Sequence, residues 1–185
     1  GYDKQGLGFS SELKALNTVT DTIELYKPGC ISIIPLSNIY EKPTMTPYYK
    51  FTYPVDKDLQ EDVIIQQINE KLTQSVQKRL IGEREFGCLL SGGLDSSIIA
   101  SILCRLKGSN NIRTFSIGFQ DSPDILASRK VAEHLQTNHT EIIITSKHVL
   151  ESLEECIRQI ESHDVTTIRA SVSMYLLSKY IQKQT

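Results

Sequence analysis

The chain has no excess of basic charge: 20 lysines and arginines stand against 22 aspartates and glutamates, for a formal net charge of −2. Nucleic acid and anionic membrane surfaces both select positive fields, so neither is an expected partner. Long apolar runs are also missing. No stretch approaches the roughly 20 residues that cross a bilayer, and the first ten residues are polar and glycine-rich, without a signal-peptide pattern. The four cysteines, Cys30, Cys88, Cys104 and Cys156, form no Cys-x-x-Cys pair. Cys88 and Cys104 sit in apolar surroundings that read as core, and reduced thiols in a cytoplasmic protein are the simplest expectation. His134, His139, His148 and His163 show no metal-ligand spacing and read as surface or helix-end residues. The chain starts at Gly1 rather than Met and stops at Thr185 in mid-pattern, so a piece of a longer protein is expected.

What is present is a change of rhythm along the chain. Residues 1–16 read as a glycine-rich turn followed by a short strand or helix start. Residues 19–36 alternate around Pro28-Gly29 and suggest short strands about a turn. Residues 38–57 carry Pro43, Pro47 and Pro54 among Tyr40, Tyr48, Tyr49, Phe51 and Tyr53, the pattern of a packed, proline-punctuated linker. Composition changes near 57. Ile64, Ile68, Leu72, Val76 and Leu80 then recur every fourth residue, predicting a helix capped by Asp56 or Asp58 and ended by Gly82. Beyond it, strands are predicted at 85–90, 112–119 and 140–145, and helices at 95–107, from Pro123 to about 136 (capped by Asp121 or Ser122), at 147–161 and at 168–183. The 85–90 run has the look of a strand buried on both faces. Strands alternating with helices predict an α/β fold with a parallel, doubly wound sheet.

Residues 88–97, CLLSGGLDSS, end an apolar strand in two glycines, an acid and hydroxyls. Ligands of open parallel sheets bind beyond the carboxyl ends of the strands. Gly92 and Gly93 allow a tight turn and a close backbone approach. The first amides of the following helix then face outward as an anion site, with Ser91, Ser96 and Ser97 as further donors. Asp95 would repel a bare phosphate, and Mg2+ bridging it to phosphate oxygens resolves the conflict. The bland alternative is an ordinary turn in which Asp95 and Ser96 cap the helix. The loop matches neither Gly-x4-Gly-Lys-Ser/Thr nor Gly-x-Gly-x-x-Gly, which disfavours a γ-phosphate-transferring kinase and a dinucleotide oxidoreductase. A second cluster, Asp164-Val165-Thr166-Thr167-Ile168-Arg169, offers two hydroxyls and a guanidinium at a helix start. On the residues alone, an Asp/Thr cap with an outward arginine and an anion-facing surface stand level. Asp124 and Arg129 read as a capping acid and a surface charge.

SGGLDSS resembles the pyrophosphate-binding loop (PP-loop) of the ATP pyrophosphatases. FSIGFQDSPDILASRKVAEHLQTNHTEI at 115–142 and SHDVTTIRASVSMYLL at 162–177 resemble the synthetase domain of glutamine-hydrolysing asparagine synthetases. GLGFSSELKAL at 6–16 and YKPGC at 26–30 are similar to the end of that family's glutaminase domain. The resemblance implies a remnant of an α+β N-terminal-nucleophile glutaminase domain over 1–37, a linker over 38–57 and part of an adenine-nucleotide α-hydrolase-like domain over 58–185.

It also implies a ligase using ATP and Mg2+. Aspartate would attack the α-phosphate to give β-aspartyl-AMP and pyrophosphate, and ammonia, drawn from glutamine in the intact enzyme, would then displace AMP. Ser91, Gly92, Gly93, Asp95, Ser96 and Ser97 match the pyrophosphate loop, with Asp95 at the metal position. Leu89, Ile117 and Gly118 match the strand ends that meet adenine and ribose, Gly118 leaving room for the base; Leu89 and Ile117 would otherwise be plain core. Thr166, Thr167 and Arg169 match active-site positions near the α-phosphate. A homodimer is the assembly kept open. The alternatives are a related PP-loop amidotransferase or a β-lactam-forming synthetase, and a decayed, non-catalytic nucleotide-binding module.

Three departures stand out. The chain begins Gly1-Tyr2 where the family's glutaminase depends on an N-terminal cysteine. It stops before a second loop, Gly-Glu-Gly-Ser-Asp-Glu, that the family uses at the nucleotide. His163 replaces the family's usual aromatic residue. The isolated chain is therefore expected to make no asparagine from glutamine, aspartate and ATP; product formation above a boiled control would contradict this.

Overall fold

A computed structural model describes residues 1–184 apart from Gln5, 54–57 and Arg84, and leaves out the side chains of Asp3, Asn38 and Asn110. The chain divides into two compact units, Gly1–Lys57 and Asp58–Thr185. The first is built from two small antiparallel ladders. Strand β1 (Tyr2–Asp3) pairs with β2 (Gly6–Leu7), and β3 (Cys30–Ile31) with β4 (Thr46–Pro47). Strands of two residues carry few ladder bonds, and local contacts supplement them. Tyr2 bridges Thr22, the Gly1 ammonium donates to the Gly8 carbonyl at 2.9 Å, and Lys42 donates to Glu24 at 2.7 Å. The aromatic segment is not packed as its composition suggests. Tyr48, Tyr49, Phe51 and Tyr53 are exposed, and the last three cover one another, Tyr49 edge-on to Phe51 at 4.9 Å and Phe51 stacked on Tyr53 at 5.5 Å.

The second unit holds α1 (Glu61–Gln77), β5 (Gly87–Leu89), α2 (Leu94–Lys107), β6 (Arg113–Gly118), α3 (Pro123–Leu135), β7 (Asn138–Ile143), α4 (Ser146–Ile160) and α5 (Val165–Gln182). The three strands form one parallel sheet in the order β5-β6-β7, with Leu89 opposite Phe115 and Ile117 opposite Ile142. This is the α/β fold that the alternation of elements calls for. The residue before α1 is Gln60, which makes no side-chain cap bond, so Asp58 is not the cap; Asp56 lies outside the described residues. Ser122 caps α3 by accepting from the Ile125 amide, and Pro123 supplies the first-turn residue that needs no acceptor. Thr145 and His148 form a reciprocal capping box on α4.

The strand β5 is not buried on both faces. Cys88 and Leu90 point inward and join Val76 of α1 and Ala100, Leu103 and Cys104 of α2 in the core, whereas Leu89 is 42% exposed. Three residues are too few for period-two alternation to show in the sequence. On the other face Phe115 is buried, α5 packs against β6, and Cys156 of α4 and Val172 and Leu177 of α5 are buried. Truncating the fully buried Leu90 would cost about 2–5 kcal/mol by lost transfer energy and cavity formation.

The sheet face beneath α3 is polar. Thr114 and Ser116 of β6 are buried and reach His139 of β7, Thr114 Oγ1 lying 2.9 Å from Nδ1 and Ser116 Oγ 3.2 Å from Nε2, with Thr137 Oγ1 2.8 Å from Thr114 Oγ1. His139 is thus an interior hydrogen-bonding residue, contrary to its surface reading. Next to it Arg129 grips Glu141 with two bonds of 2.8 Å, so Arg129 is not a lone surface charge.

Burial pushes the His139 pKa below 6.5; Glu141 and the Thr114 bond oppose this and Arg129 assists it. Folding therefore favours the neutral ring. Its contribution to stability is complete above the unfolded pKa and is lost as pH falls through that value toward the lower folded one. The unfolding midpoint should drop between about pH 7.5 and 5.5, with a shallower drop in His139→Gln. Equal slopes in denaturant titrations would assign the dependence elsewhere.

Candidate functional site

The loop that leaves β5 does so at the carboxyl edge of the sheet. Leu90 extends the strand by donating its amide to the Phe115 carbonyl at 2.8 Å, and Ser91 opens the turn. Gly92 adopts φ +79°, a left-handed conformation that side chains disfavour. Gly93 is the residue before α2, in extended conformation. The amides of Leu94, Asp95 and Ser96 then open the helix with no carbonyl four residues back to accept them, and no side chain of Gly93 can. The positive end of the helix is presented to an incoming anion.

The loop is held by its own hydroxyls. Ser91 Oγ lies 3.0 Å from Ser96 Oγ and accepts from the Gly93 amide at 3.3 Å. Ser96 Oγ also accepts from the Ser91 amide at 3.3 Å. Ser97 Oγ donates to the Gly93 carbonyl at 2.7 Å. Gly93 is the residue before the helix, and neither Asp95 nor Ser96 caps it. The Asp95 carboxylate is exposed and makes no hydrogen bond or ion pair among the described residues. An unpaired carboxylate beside a helix start can serve as one ligand of a hard cation. Among the described residues, no group of three or more His, Cys, Asp or Glu could hold a metal by itself. One carboxylate plus ligand phosphates suits Mg2+, which keeps most of its sphere for water and substrate.

Space at the strand ends is tight in two places. A side chain on Gly92 would overlap the Ala127 carbonyl carbon and the Ser128 nitrogen and lie 2.6 Å from Ala127 Cβ, so the loop rests on the second turn of α3. A side chain on Gly118 would meet Ser122 Oγ at 2.5 Å and Ile125 Cγ1 at 2.9 Å. Gly118 therefore makes room for the capped start of α3. Leu89 is half-exposed and Ile117 is partly buried between its neighbours, each at a strand's carboxyl end. A groove of about 620 Å3 between α1, α2 and α3 is lined mostly by apolar residues and touches the loop only through Leu94 and Ser97.

The second cluster opens α5, on the same unit. Asp164 caps α5 by accepting from the Thr167 amide at 2.7 Å, and that bond holds its carboxyl below the usual range. Thr166, Thr167 and Arg169 are exposed. Helices α4 and α5 pack against each other, and Glu155 of α4 lines a groove with Tyr175 and Lys179 of α5. Among the described residues no hydrogen bond or ion pair joins this cluster to the 91–97 loop. The sequence reading missed the floor formed by Ala127 and Ser128, for which the only signal was a pair of small residues in the helix after the second strand.

The sequence model of the asparagine synthase family matches residues 67–185. The chain belongs to the asparagine synthase family. The protein called probable asparagine synthetase [glutamine-hydrolyzing] of Acanthamoeba polyphaga mimivirus is 40% identical over an alignment of 204 residues, covering 100% of this chain and 37% of that protein. The asparagine synthetases [glutamine-hydrolyzing] of Gallus gallus and Homo sapiens are each 50% identical over 115 residues, covering 60% of this chain and 20% of theirs. The chain thus spans well under half the length of these family members.

The two glycines of the loop should respond differently to a methyl group. Gly92→Ala puts a side chain at positive φ into the α3 backbone and should cost about 1–3 kcal/mol. Gly93→Ala, at φ −72° with only Ser91 Oγ 3.5 Å away, should change unfolding free energy by about 0.5 kcal/mol or less. Equal costs in urea titrations would mean that the loop does not rest on α3.

Proposed function

We propose that the protein is the ATP-binding part of an asparagine synthetase, which amidates aspartate through an adenylate. The observation that carries this reading is the SGGLDSS loop at the carboxyl end of β5, with Gly92 at φ +79° and the start of α2 free to receive pyrophosphate oxygens. A side-chain carboxylate oxygen of aspartate attacks the α-phosphorus of ATP. The bond from that phosphorus to the bridging oxygen breaks, pyrophosphate leaves, and β-aspartyl-AMP forms. Ammonia then attacks the acyl carbon, AMP departs with the bonding electrons, and the nitrogen loses a proton to give asparagine.

The residues of this chain bind and orient. The amides of Leu94, Asp95 and Ser96 and the hydroxyls of Ser91, Ser96 and Ser97 hold the β- and γ-phosphates, exchanging bonds within the loop for bonds to the ligand. Such preset donors act on charge as it develops on the leaving group. Asp95 would hold Mg2+, which offsets charge on the pyrophosphate. The strand-end backbone at Leu89, Ile117 and Gly118 faces adenine and ribose. Thr166, Thr167 and Arg169 serve the α-phosphate and the acyl group; this assignment rests on the family resemblance. In the intact protein the nitrogen comes from glutamine through a glutaminase domain whose end is residues 1–37. The mimivirus alignment, which runs over the whole chain, supports that assignment.

Pyrophosphate release from Mg-ATP by the intact protein should require aspartate and yield asparagine when ammonia is present. Asp95→Ala should lower that release by about 100-fold, and Arg169→Ala should lower it while leaving ATP binding intact. Release that ignores aspartate would move the acceptor to another molecule, and an unchanged Asp95→Ala would remove the metal role.

A further inference from the structure

The loop's hydroxyls set its internal shape, and the amides that would meet an anion do not fix where it sits against the rest of the unit. That position is set from below. Gly92 has no Cβ because the peptide between Ala127 and Ser128 occupies the space, and Ala127 Cβ is the side-chain atom closest to it. Ser128 is completely buried and donates its hydroxyl to the Ile125 carbonyl at 3.0 Å, within its own helix. The first turn of α3 is fixed in turn by Ser122, which accepts from the Ile125 amide and fills the space left by Gly118. Two glycines from two different strand ends therefore meet consecutive turns of one helix. The end of β6, the start of α3 and the phosphate loop are registered on one another by contacts that leave no room for a larger group.

We propose that α3 is the seat of the pyrophosphate loop and that Ala127 is a positioning residue for the adenylation reaction, acting through Gly92 without touching substrate. The proposal rests on the reading of the loop as an anion site. Ala127 is partly buried and its Cβ lies 2.6 Å from where a Cβ on Gly92 would stand, so a side chain longer than a methyl at 127 that turns toward the loop lifts it off the helix. That tilts the Leu94, Asp95 and Ser96 amides away from the phosphate oxygens, and hydrogen-bonding donors lose much of their effect when misplaced by about 1 Å. A smaller residue leaves the seat in place. Affinity at the site should therefore follow the volume at 127.

The test is a series in the intact protein, Ala127→Gly, Ala127→Ser, Ala127→Val and Ala127→Leu, with Ala132→Leu as a core control on the same helix. Ala132 is 4% exposed and belongs to the core beneath α3, away from Gly92. Two quantities are read: the dissociation constant of inorganic pyrophosphate with Mg2+ by calorimetry, and hydrogen exchange of the amides from Ser91 to Ser96 without ligand. Exchange should quicken in the order Gly, Ser, Val, Leu, and pyrophosphate affinity should fall in the same order, by about tenfold or more at Leu. Ala132→Leu should lower the melting temperature while leaving loop exchange and affinity near wild type. If Ala127→Leu does not fold, the Gly, Ser and Val variants still give the trend. Loop exchange and affinity that do not change with size, or that change equally in Ala132→Leu, overturn the seat. Graded loop exchange with no pyrophosphate binding in any variant, wild type included, keeps the seat and overturns the anion-site reading instead.

Discussion

A side chain at position 92 would run into the peptide between Ala127 and Ser128, and the site depends on that contact. Under the proposed function, a phosphate-binding loop built from backbone amides has no long side chains with which to correct its aim. Its donors point where the backbone points, and here the backbone is placed by a neighbouring helix. The left-handed φ of Gly92 lets the chain reverse between β5 and α2, and the missing Cβ lets the reversal press against α3. Both demands fall on one residue, and only glycine meets them without strain.

The parallel sheet supplies the rest of the placement. Because β5 and β6 run in the same direction, their carboxyl ends bring Leu89, Ser91, Ile117 and Gly118 to one edge. Because α3 follows β6 with a Ser122 cap, its first turns lie beside that edge. The polar strip of Thr114, Ser116 and His139 beneath the same helix is satisfied within itself, with no buried side-chain polar atom left unpartnered among the described residues. The directional bonds that tie α3 to the sheet come instead from Arg129, which reaches Glu141 of β7 with two bonds and adds to the apolar contact beneath the helix.

Features that depend on neighbours in sequence were legible. The Ser122-Pro123 start of α3, the strand-glycine-helix passage at 88–97 and the amphipathic helices are written in local spacing, and the family resemblance to the chain is carried by the same segments. Features that depend on distant partners were not. The sequence around His139 does not show Thr114, 25 residues away, and the sequence around Arg129 does not show that Glu141 will take both arms of its guanidinium. The exposure of Leu89 depends on which face of a three-residue strand is covered, and the aromatic residues at 49–53 stack on one another because nothing local tells a ring which surface to choose. The seat under Gly92 belongs to the same class, since alanine and serine in a helix carry no mark of what presses on them.

The most direct test is to follow the amide resonances of residues 91–97 in isotopically labelled chain while Mg-pyrophosphate is added. Saturable shifts concentrated at Gly93, Leu94, Asp95 and Ser96, with smaller shifts at Ala127 and Ser128 beneath them, are the expected result. Shifts that do not saturate, or that gather at another part of the unit while the loop stays still, would contradict a pyrophosphate loop seated on α3.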